Sequence, residues 1–350
     1  MKVLFVAGGS GGHIIPALAV ADALRAKFPN AELLFISSRS ELDAEVFAAH
    51  SFSYQREQIA TGKFRRYFDL QNFIDPFRFL AGIWQALRIL KRERPDVIFS
   101  KGGFVALPVG IAAKLRGVPL VIHESDVVSG LTNRILKRLA AQVLTTFPAE
   151  QGIWVGTPVR AEIFRGDSER GRKFLGFSED IPILLVMGGS QGAETINQLL
   201  LHALPALTEK ICVVHLSGSG KSADKDHPRY RAFPYLGQEF PDVLAAADLI
   251  FSRAGANTLF ELAAAKKPVM LLPLTSAANN HQVKNAAYFA EKGAAKVFFE
   301  ENFTSADFQR VVLEFLADTD FQAELRKNVA SLARPEAAEK IAEILVNFEK

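Results

Sequence analysis

The sequence has little cysteine, since Cys212 is the single one among its 350 residues. A disulfide within the chain needs two cysteines, so a small secreted fold held by disulfides is excluded and a reducing compartment is expected. Long apolar runs are also missing, because no stretch approaches the roughly 20 apolar residues that a membrane-spanning helix needs. The apolar segment 2–7 leads directly into Gly8 and Gly9, which indicates a first strand and not a signal peptide.

Neither sign of charge dominates the sequence, and its formal net charge is +3. This mild charge, with no module that interleaves stacking and basic residues for RNA or single strands, predicts no nucleic-acid partner. Metal-binding motifs are missing as well. The motif H-E-x-x-H does not occur, and the acidic pairs at 224–226 and 318–320 lie in polar stretches that we interpret as solvated turns. We therefore predict no metal and no other cofactor.

Short apolar runs alternate with amphipathic segments along the whole chain. This alternation predicts an α/β fold with parallel, doubly wound sheets. The length suits two Rossmann-like domains facing a cleft, which we place at 1–158 and 159–333, with a C-terminal helix over 334–350 packing back on the first domain. The predicted strands are 3–7, 33–37, 97–100, 120–123, 142–145, 183–187, 211–216, 248–252, 269–272 and 296–298, and two of the predicted helices are 15–27 and 108–115.

A glycine-rich loop follows the first strand of each predicted domain, at 8–12 and at 188–192. Loops of this kind let the backbone approach a phosphate closely. The first loop is not a dinucleotide fingerprint, because Ile14 stands where G-x-G-x-x-G needs its last glycine and the second strand ends without an acidic ribose ligand. Arg39 after that strand leaves an NADP site open as an alternative.

The segment 255–261 follows a predicted strand and opens a helix. A small residue such as Gly255 allows a tight turn, so the first N–H groups of the helix and its partial positive charge could hold a diphosphate. The alternative is structural: Thr258 and Glu261 have the spacing of a capping box, in which Glu261 only caps its own helix. Polar side chains suited to sugar and ribose hydroxyls also follow strands of this domain: Ser190, Gln191, Thr258, Glu261, Asn280, His281, Gln282 and Asn285.

His13, at the mouth of the first glycine loop, is a candidate general base for a hydroxyl nucleophile, because a neutral imidazole near pH 7 suits that task. Local hydrogen bonding by His13 is the alternative. The turn 123–126 adds two carboxylates, and either Glu124 or Asp126 could orient His13 or act as the base itself. For both carboxylates the structural alternative is hydrogen bonding that fixes the turn.

The segment 63–94 interleaves aromatic and basic residues. Rings of this kind enter a membrane interface while the cations meet anionic head groups, so the segment could contact an anionic bilayer surface. The alternative is a helix of an α/β layer, which buries an apolar stripe and exposes lysine and arginine. The predicted membrane surface consists of Phe73, Phe77, Leu80, Trp84, Arg78 and Arg88.

Seven motifs follow one another along the chain: GGSGGH at 8–13, GGFV at 102–105, HESD at 123–126, GLTN at 130–133, GGSQGA at 188–193, GANTLFE at 255–261 and HQVKN at 281–285. As an ordered set they resemble the MurG family of bacterial glycosyltransferases, in glycosyltransferase family 28. The resemblance implies a GT-B fold and an inverting, metal-independent transfer of GlcNAc from UDP-GlcNAc to the C4 hydroxyl of MurNAc in lipid I, which yields lipid II and UDP for peptidoglycan synthesis. It also implies a peripheral enzyme on the cytoplasmic face of the cell membrane, with cell-wall synthesis or division proteins as further partners.

The resemblance assigns roles to residues that match the family motifs. His13 becomes the leading candidate for the base, and Gly102 and Gly103 would bind the acceptor diphosphate. This chain departs from many relatives at Ser125 and Asp126, where they carry Gln-Asn, and at Phe104, where some carry Tyr. Contacts with UDP-GlcNAc are implied for Ser10, Gly11, Gly12, Arg160, Ser190, Leu236, Ala256, Asn257, Thr258, Glu261 and Gln282.

Three alternative functions are compatible with part of these sequence features. A sugar-nucleotide epimerase of similar two-domain fold would not need the predicted membrane surface. An NADP oxidoreductase would bind nicotinamide. A membrane-bound scaffold would bind UDP-GlcNAc without turnover.

Overall fold

The computed structural model describes residues 1–62, 71–177, 181–189, 192–218 and 227–349, without the side chains of residues 71–74 and 278. Their contacts divide the chain into two compact units, one formed by residues 1–160 with 334–350 and the other by residues 161–333. Some predicted features lie outside the described residues: the start of the segment 63–94, the side chain of Phe73, Ser190 with Gln191, and the acidic pair at 224–226.

The elements in the described residues alternate between strand and helix over most of the chain. The strands are β1 (Lys2–Val6), β2 (Glu32–Ser37), β3 (Gln55–Gln58), β4 (Val97–Ser100), β5 (Leu120–Glu124), β6 (Gln142–Thr145), β7 (Ile153–Trp154), β8 (Ile183–Met187), β9 (Cys212–Leu216), β10 (Tyr230–Phe233), β11 (Leu249–Ser252), β12 (Val269–Leu271) and β13 (Lys296–Val297). The α-helices are α1 (Gly11–Lys27), α2 (Glu41–Ala48), α3 (Gln71–Glu93), α4 (Ala106–Arg116), α5 (Leu131–Leu136), α6 (Ser168–Leu175), α7 (Glu194–Thr208), α8 (Phe240–Ala246), α9 (Ala256–Ala264), α10 (His281–Glu291), α11 (Ser305–Ala317), α12 (Thr319–Ser331) and α13 (Ala337–Val346).

The first unit is built on a parallel sheet with the strand order β3-β2-β1-β4-β5-β6-β7. Val3, Leu4 and Phe5 in β1 are fully buried, as expected for a strand covered by helices on both faces. The sequence order reverses direction between β1 and β4. In open α/β sheets, ligands bind outside the carboxyl ends of the strands at such a switch point.

Helix α1 begins at Gly11, four residues before the predicted start at residue 15. Ser10 is its N-cap, with an extended backbone and no side-chain cap. The last two glycines of the predicted loop and His13 therefore form the first turn of α1, and the N–H of His13 donates to the carbonyl oxygen of Ser10 at 3.1 Å.

The C-terminal helix α13 belongs to the first unit and packs on α1. Ile341, Ala342 and Leu345 are buried in the same core cluster as the apolar face of α1. Lys27 of α1 also pairs with Glu343 of α13. The polypeptide thus returns to its first unit after completing the second.

The second unit repeats the architecture with the parallel strand order β10-β9-β8-β11-β12-β13. All five residues of β8 are buried. Its switch point lies between β8 and β11, so the loop after β8 and the entry to α9 lie at neighbouring strand ends. Both sheets therefore match the predicted doubly wound class.

Candidate active site

The first switch point brings the loop after β1 against the loop after β4. Gly103 has φ +84°, and a Cβ there would lie 2.8 Å from the carbonyl oxygen of Gly8 and 3.0 Å from Cδ2 of His13. Because a side chain fits neither the backbone angle nor the space, glycine is required at this contact. The loop that carries Gly102 and Gly103 therefore lies directly against the imidazole of His13.

Asp43 fixes the shape of the loop after β1. Its fully buried carboxylate accepts hydrogen bonds from the Gly9 N–H at 2.9 Å, from the Ser38 N–H at 3.0 Å and from the Ser38 hydroxyl at 2.7 Å. Asp43 was not among the residues predicted from the sequence. Its spacing from Ser40, the N-cap of α2, signals a helix start but not the contact with Gly9.

His13 lies in the first turn of α1 and is half-buried. Its Nδ1 is buried, and no hydrogen-bond partner reaches that atom within the described part of the chain. Burial and, after it, the positive charge of Lys101 lower the pKa of His13 to about 4, although the charges of Asp126 and Asp43 act in the opposite direction. The imidazole is therefore neutral at pH 7 and able to accept a proton.

Glu124, at the end of β5, is buried and bound within its own turn. One carboxylate oxygen accepts from Nδ2 of Asn133 at 3.1 Å and the other from the backbone N–H of Asp126 at 3.3 Å. Burial raises the pKa of Glu124. These contacts match the structural alternative for Glu124, whereas Asp126 is half-buried and its charge acts on His13.

A buried lysine, which no sequence pattern predicted, lies beside these groups. Lys101 follows β4, is 1% exposed, and places Nζ 2.8 Å from Nδ1 of His123 and 2.8 Å from Oγ of Ser125. Nε2 of His123 lies 2.8 Å from the carbonyl oxygen of Gly156. No local pattern announces a buried lysine, because its burial depends on neighbours distant in sequence.

At the second switch point, α9 begins directly after Gly255, which is its N-cap and makes no side-chain cap. Thr258 is thus the third helical residue, so the capping-box interpretation of Thr258 and Glu261 is wrong. The tight turn expected at Gly255 also needs correction. Its φ is −68°, and the nearest described atom to a Cβ there would be Oγ1 of Thr258 at 3.9 Å. Glycine is not forced by the backbone here; it leaves the space above the helix N-terminus open.

Two buried side chains anchor the entry to α9 from its neighbours. Arg253 donates to the carbonyl oxygen of Leu272 at 2.8 Å, and Nδ2 of Asn285 donates to the carbonyl oxygen of Ala254 at 3.2 Å. These contacts fix the backbone just before the helix. The first N–H groups of α9 are held in position before any ligand binds.

The predicted donor contacts divide between the two units. Ser10, Gly11, Gly12 and Arg160 belong to the first unit. In the second unit, Gln282 uses its carbonyl oxygen to accept from the Leu274 N–H at 3.0 Å, and Leu236 is buried. The remaining predicted contacts of the second unit lie in the first two turns of α9: Ala256, Asn257, Thr258 and Glu261.

The predicted membrane surface lies on the outer face of α3. Phe77, Leu80 and Trp84 are 74%, 60% and 53% exposed, and the Arg88 guanidinium lies 3.7 Å from the ring centre of Trp84. The opposite face of α3 is buried, with Ala86, Ile89 and Leu90 in the core. Arg78 is ion-paired with Asp75 at 3.3 Å. Across the described ranges, none of the helices combines the length and apolar character needed to cross a membrane.

Comparison with known proteins identifies the family. The N-terminal domain model of glycosyltransferase family 28 matches residues 3–145, and its C-terminal domain model matches residues 183–341. A UDP-N-acetylglucosamine–N-acetylmuramyl-(pentapeptide) pyrophosphoryl-undecaprenol N-acetylglucosamine transferase of Bacillus anthracis is 42% identical over 87% of this chain and 88% of its own length.

Two solved structures share the fold. MurG of Acinetobacter baumannii superposes with a TM-score of 0.75 at 27% identity and covers 99% of both chains. A UDP-GlcNAc 2-epimerase of Neisseria meningitidis superposes with a TM-score of 0.72 over 99% of this chain and 100% of its own, but at 14% identity that likeness shows the fold alone. The fold class is thus GT-B, as predicted, and the chain belongs to glycosyltransferase family 28 and, within it, to the MurG transferases.

Proposed function

We propose that this chain transfers GlcNAc from UDP-GlcNAc to the C4 hydroxyl of MurNAc in undecaprenyl-pyrophosphoryl-MurNAc-pentapeptide (lipid I), producing lipid II and UDP for peptidoglycan synthesis. Membership of the MurG transferases carries the proposal, because the Bacillus anthracis relative is named for this transfer. The two switch points supply the chemistry that it needs: a neutral imidazole beside a glycine loop and an open helix N-terminus.

The helix N-terminus at α9 is the proposed site of the donor diphosphate. An α-helix directs its first N–H groups out of its N-terminus, and the helix dipole adds partial positive charge there. Gly255 leaves the space above them open. Glu261, one turn further along, is the proposed ligand of the ribose hydroxyls, and Gln282 of the GlcNAc hydroxyls. Charge that develops on the departing diphosphate would be stabilised at the same place.

His13 is the proposed general base. The C4 hydroxyl of MurNAc loses its proton to the imidazole as its oxygen bonds to C1 of GlcNAc, and the bond between C1 and the diphosphate oxygen breaks with its electrons leaving on UDP. A single in-line displacement of this kind inverts the configuration at C1. A pKa of about 4 makes His13 a weak base in the free protein. The negative charge of an acceptor diphosphate on the neighbouring glycine loop would raise that pKa and strengthen the base.

The glycine loop after β4 is the proposed site of the acceptor diphosphate, through the backbone of Gly102 and Gly103. We further propose that no metal takes part. Helix dipoles and backbone N–H groups can stabilise an anionic leaving group without a cation. The test is the reaction in EDTA.

The decisive experiment measures transfer of labelled GlcNAc from UDP-GlcNAc to a lipid I analogue, with EDTA present. We expect lipid II to form at a rate that depends on the acceptor. Formation of a UDP-sugar epimer without acceptor would favour the epimerase. Donor binding without any product would favour the scaffold. Loss of product on chelation, restored by a divalent cation, would contradict metal independence.

We also propose that the outer face of α3 rests on an anionic membrane, which would bring the active site to its lipid-bound acceptor. The exposed rings of Phe77 and Trp84 supply interfacial contact and Arg88 supplies charge. Trp84→Ser should weaken co-sedimentation with vesicles that contain phosphatidylglycerol. The matched control is Phe299→Ser, since Phe299 is 47% exposed in the second unit. Equal losses for both variants would contradict this proposal.

A further inference from the structure

Lys101 is unusual because a whole lysine side chain is removed from water. It is 1% exposed, although lysine is almost never fully buried unless it is paired. Its partners are a histidine and a serine, at 2.8 Å each, and neither carries a negative charge. A structural need for apolar packing would be met at lower cost by methionine or leucine. The lysine therefore calls for an explanation in terms of charge.

The hydrogen bonds around His123 determine which partner donates. The carbonyl oxygen of Gly156 can only accept, so Nε2 of His123, 2.8 Å away, must carry the hydrogen. Burial holds the pKa of His123 well below its usual range, so the ring is neutral and Nδ1 has the lone pair. Nζ of Lys101 must then donate to Nδ1. Both His123 and Ser125 are thus arranged to accept hydrogen bonds from Nζ of Lys101, which donates to them as the amine and as the ammonium.

Carboxylates near Lys101 make a positive charge tolerable there. Burial lowers the pKa of Lys101 to about 7, while the charges of Glu124 and Asp126 oppose that shift. The hydroxyl of Ser125 accepts from Nζ at 2.8 Å, and the two carboxylates offset part of a positive charge at Lys101.

The charge of Lys101 acts on His13. After burial, it is the largest influence on the His13 pKa, and it favours the neutral ring. The charged groups that oppose it are Asp126, from the turn after β5, and Asp43, from α2. The two residues are also joined sterically, because the loop that begins at Lys101 lies against the imidazole at Gly103.

We propose that Lys101 is a positioning residue for His13: its buried side chain, held by His123 and Ser125, anchors the loop that holds the imidazole in place, and its charge opposes protonation of the ring. The inference deepens the proposed function, since it takes His13 as the base. At the pH where His13 titrates, near 4, Lys101 is fully protonated, so its charge acts on the ring throughout that titration.

The test is an NMR titration of His13 in the full-length protein without substrates, with the His13 signals assigned by comparison with His13→Gln. Lys101→Met removes the charge at similar length and should raise the pKa of His13 by about one pH unit. Asp126→Asn removes an opposing charge and should lower it. The matched control is Lys114→Met, since Lys114 is an exposed lysine in α4 and should leave the titration unchanged.

A higher His13 pKa in Lys101→Met and a lower one in Asp126→Asn would support the electrostatic role. A purely steric effect would not depend on the sign of the charge that is removed. An unchanged titration in folded Lys101→Met would overturn the inference. Lys101→Arg keeps the charge, and a shift as large as that of Lys101→Met would also overturn it. Should Lys101→Met fail to fold, Lys101→Gln takes its place as the uncharged variant. The titration needs no turnover, so it is independent of whether the proposed transfer is correct.

Discussion

The two switch points have the same backbone plan but different side chains beneath their loops. At the first, Lys101, His123 and Glu124 are buried ionisable groups whose partners include other side chains. At the second, buried Arg253 and Asn285 each donate to a backbone carbonyl group, and Arg253 also pairs with the carboxylate of Glu300. One set of contacts adjusts charge, and the other fixes the course of the backbone.

This difference assigns separate tasks to two copies of one architecture. Buried groups with shifted pKa values suit a site where a proton moves. A rigid helix entry suits a site where an anion is held. Variants at the first switch point should therefore alter the chemical step and its pH dependence, and variants at the second should alter donor affinity.

The largest effect is expected from removing the base. His13→Gln should lower kcat for GlcNAc transfer about 10²–10⁴-fold, because general base catalysis contributes roughly that much. UDP affinity, measured by calorimetry, should stay unchanged. His202→Gln is the control, since His202 is exposed on α7 of the second unit. Full kcat in His13→Gln would move the base to Asp126.

A methyl group at Gly103 should have the next largest effect. Gly103→Ala forces a left-handed backbone on alanine and places Cβ against Gly8 and His13, so the free energy of unfolding should fall by about 2–4 kcal/mol. Gly237→Ala is the control, because no atom of the described residues lies within 4 Å of the place that its Cβ would take. Denaturant unfolding of both variants measures the difference. Equal stabilities would mean that the two loops of the first switch point separate easily.

The central strands could be predicted from the sequence because parallel strands buried on both faces are continuous apolar runs. β8 has the predicted limits, and β11 begins one residue later than predicted. The edge strands β3, β7 and β10 were missed. β3 reads QREQ and β7 has two residues, both exposed, so neither carries an apolar pattern.

The site was only partly predictable for a related reason. Glycine loops and a histidine at a helix start are local patterns, and His13 and Gly103 do lie together. Lys101 and Asp43 have no such pattern, because a lone charged residue reads as exposed until its distant partners are known. For Lys101 these partners lie 22 and 24 residues away, and for Asp43 the Gly9 N–H lies 34 residues away.

Each unit also holds a lysine with a lowered pKa, so the two units can be compared by the pH dependence of stability that each lysine causes. Lys101 has a pKa of about 7 when folded, against about 10.4 in an unfolded chain. Between these values the unfolded chain binds more protons, so stability should rise with pH by at most about 1.4 kcal/mol per pH unit. Lys101→Met should flatten the rise of Tm from pH 7 upwards. The counterpart in the second unit is Lys267, whose pKa burial lowers to about 8. Lys267→Met should flatten the rise of Tm only from pH 8 upwards. Identical profiles for both variants and the parent would contradict the lowered pKa of Lys101.

The smallest effect on stability is expected from a substitution at Gly255, which changes the second switch point only. Gly255→Ala adds a methyl group in open space, so stability should fall by no more than about 1 kcal/mol, the cost of alanine at an N-cap. The methyl group would project where the donor diphosphate is proposed to bind, and UDP affinity should fall about tenfold, or about 1.4 kcal/mol. Calorimetry with UDP and with uridine separates the causes, because uridine lacks the diphosphate and should bind both proteins equally. Unchanged UDP affinity would contradict diphosphate binding at the N-terminus of α9 and would make the first glycine loop the next candidate for the anion site.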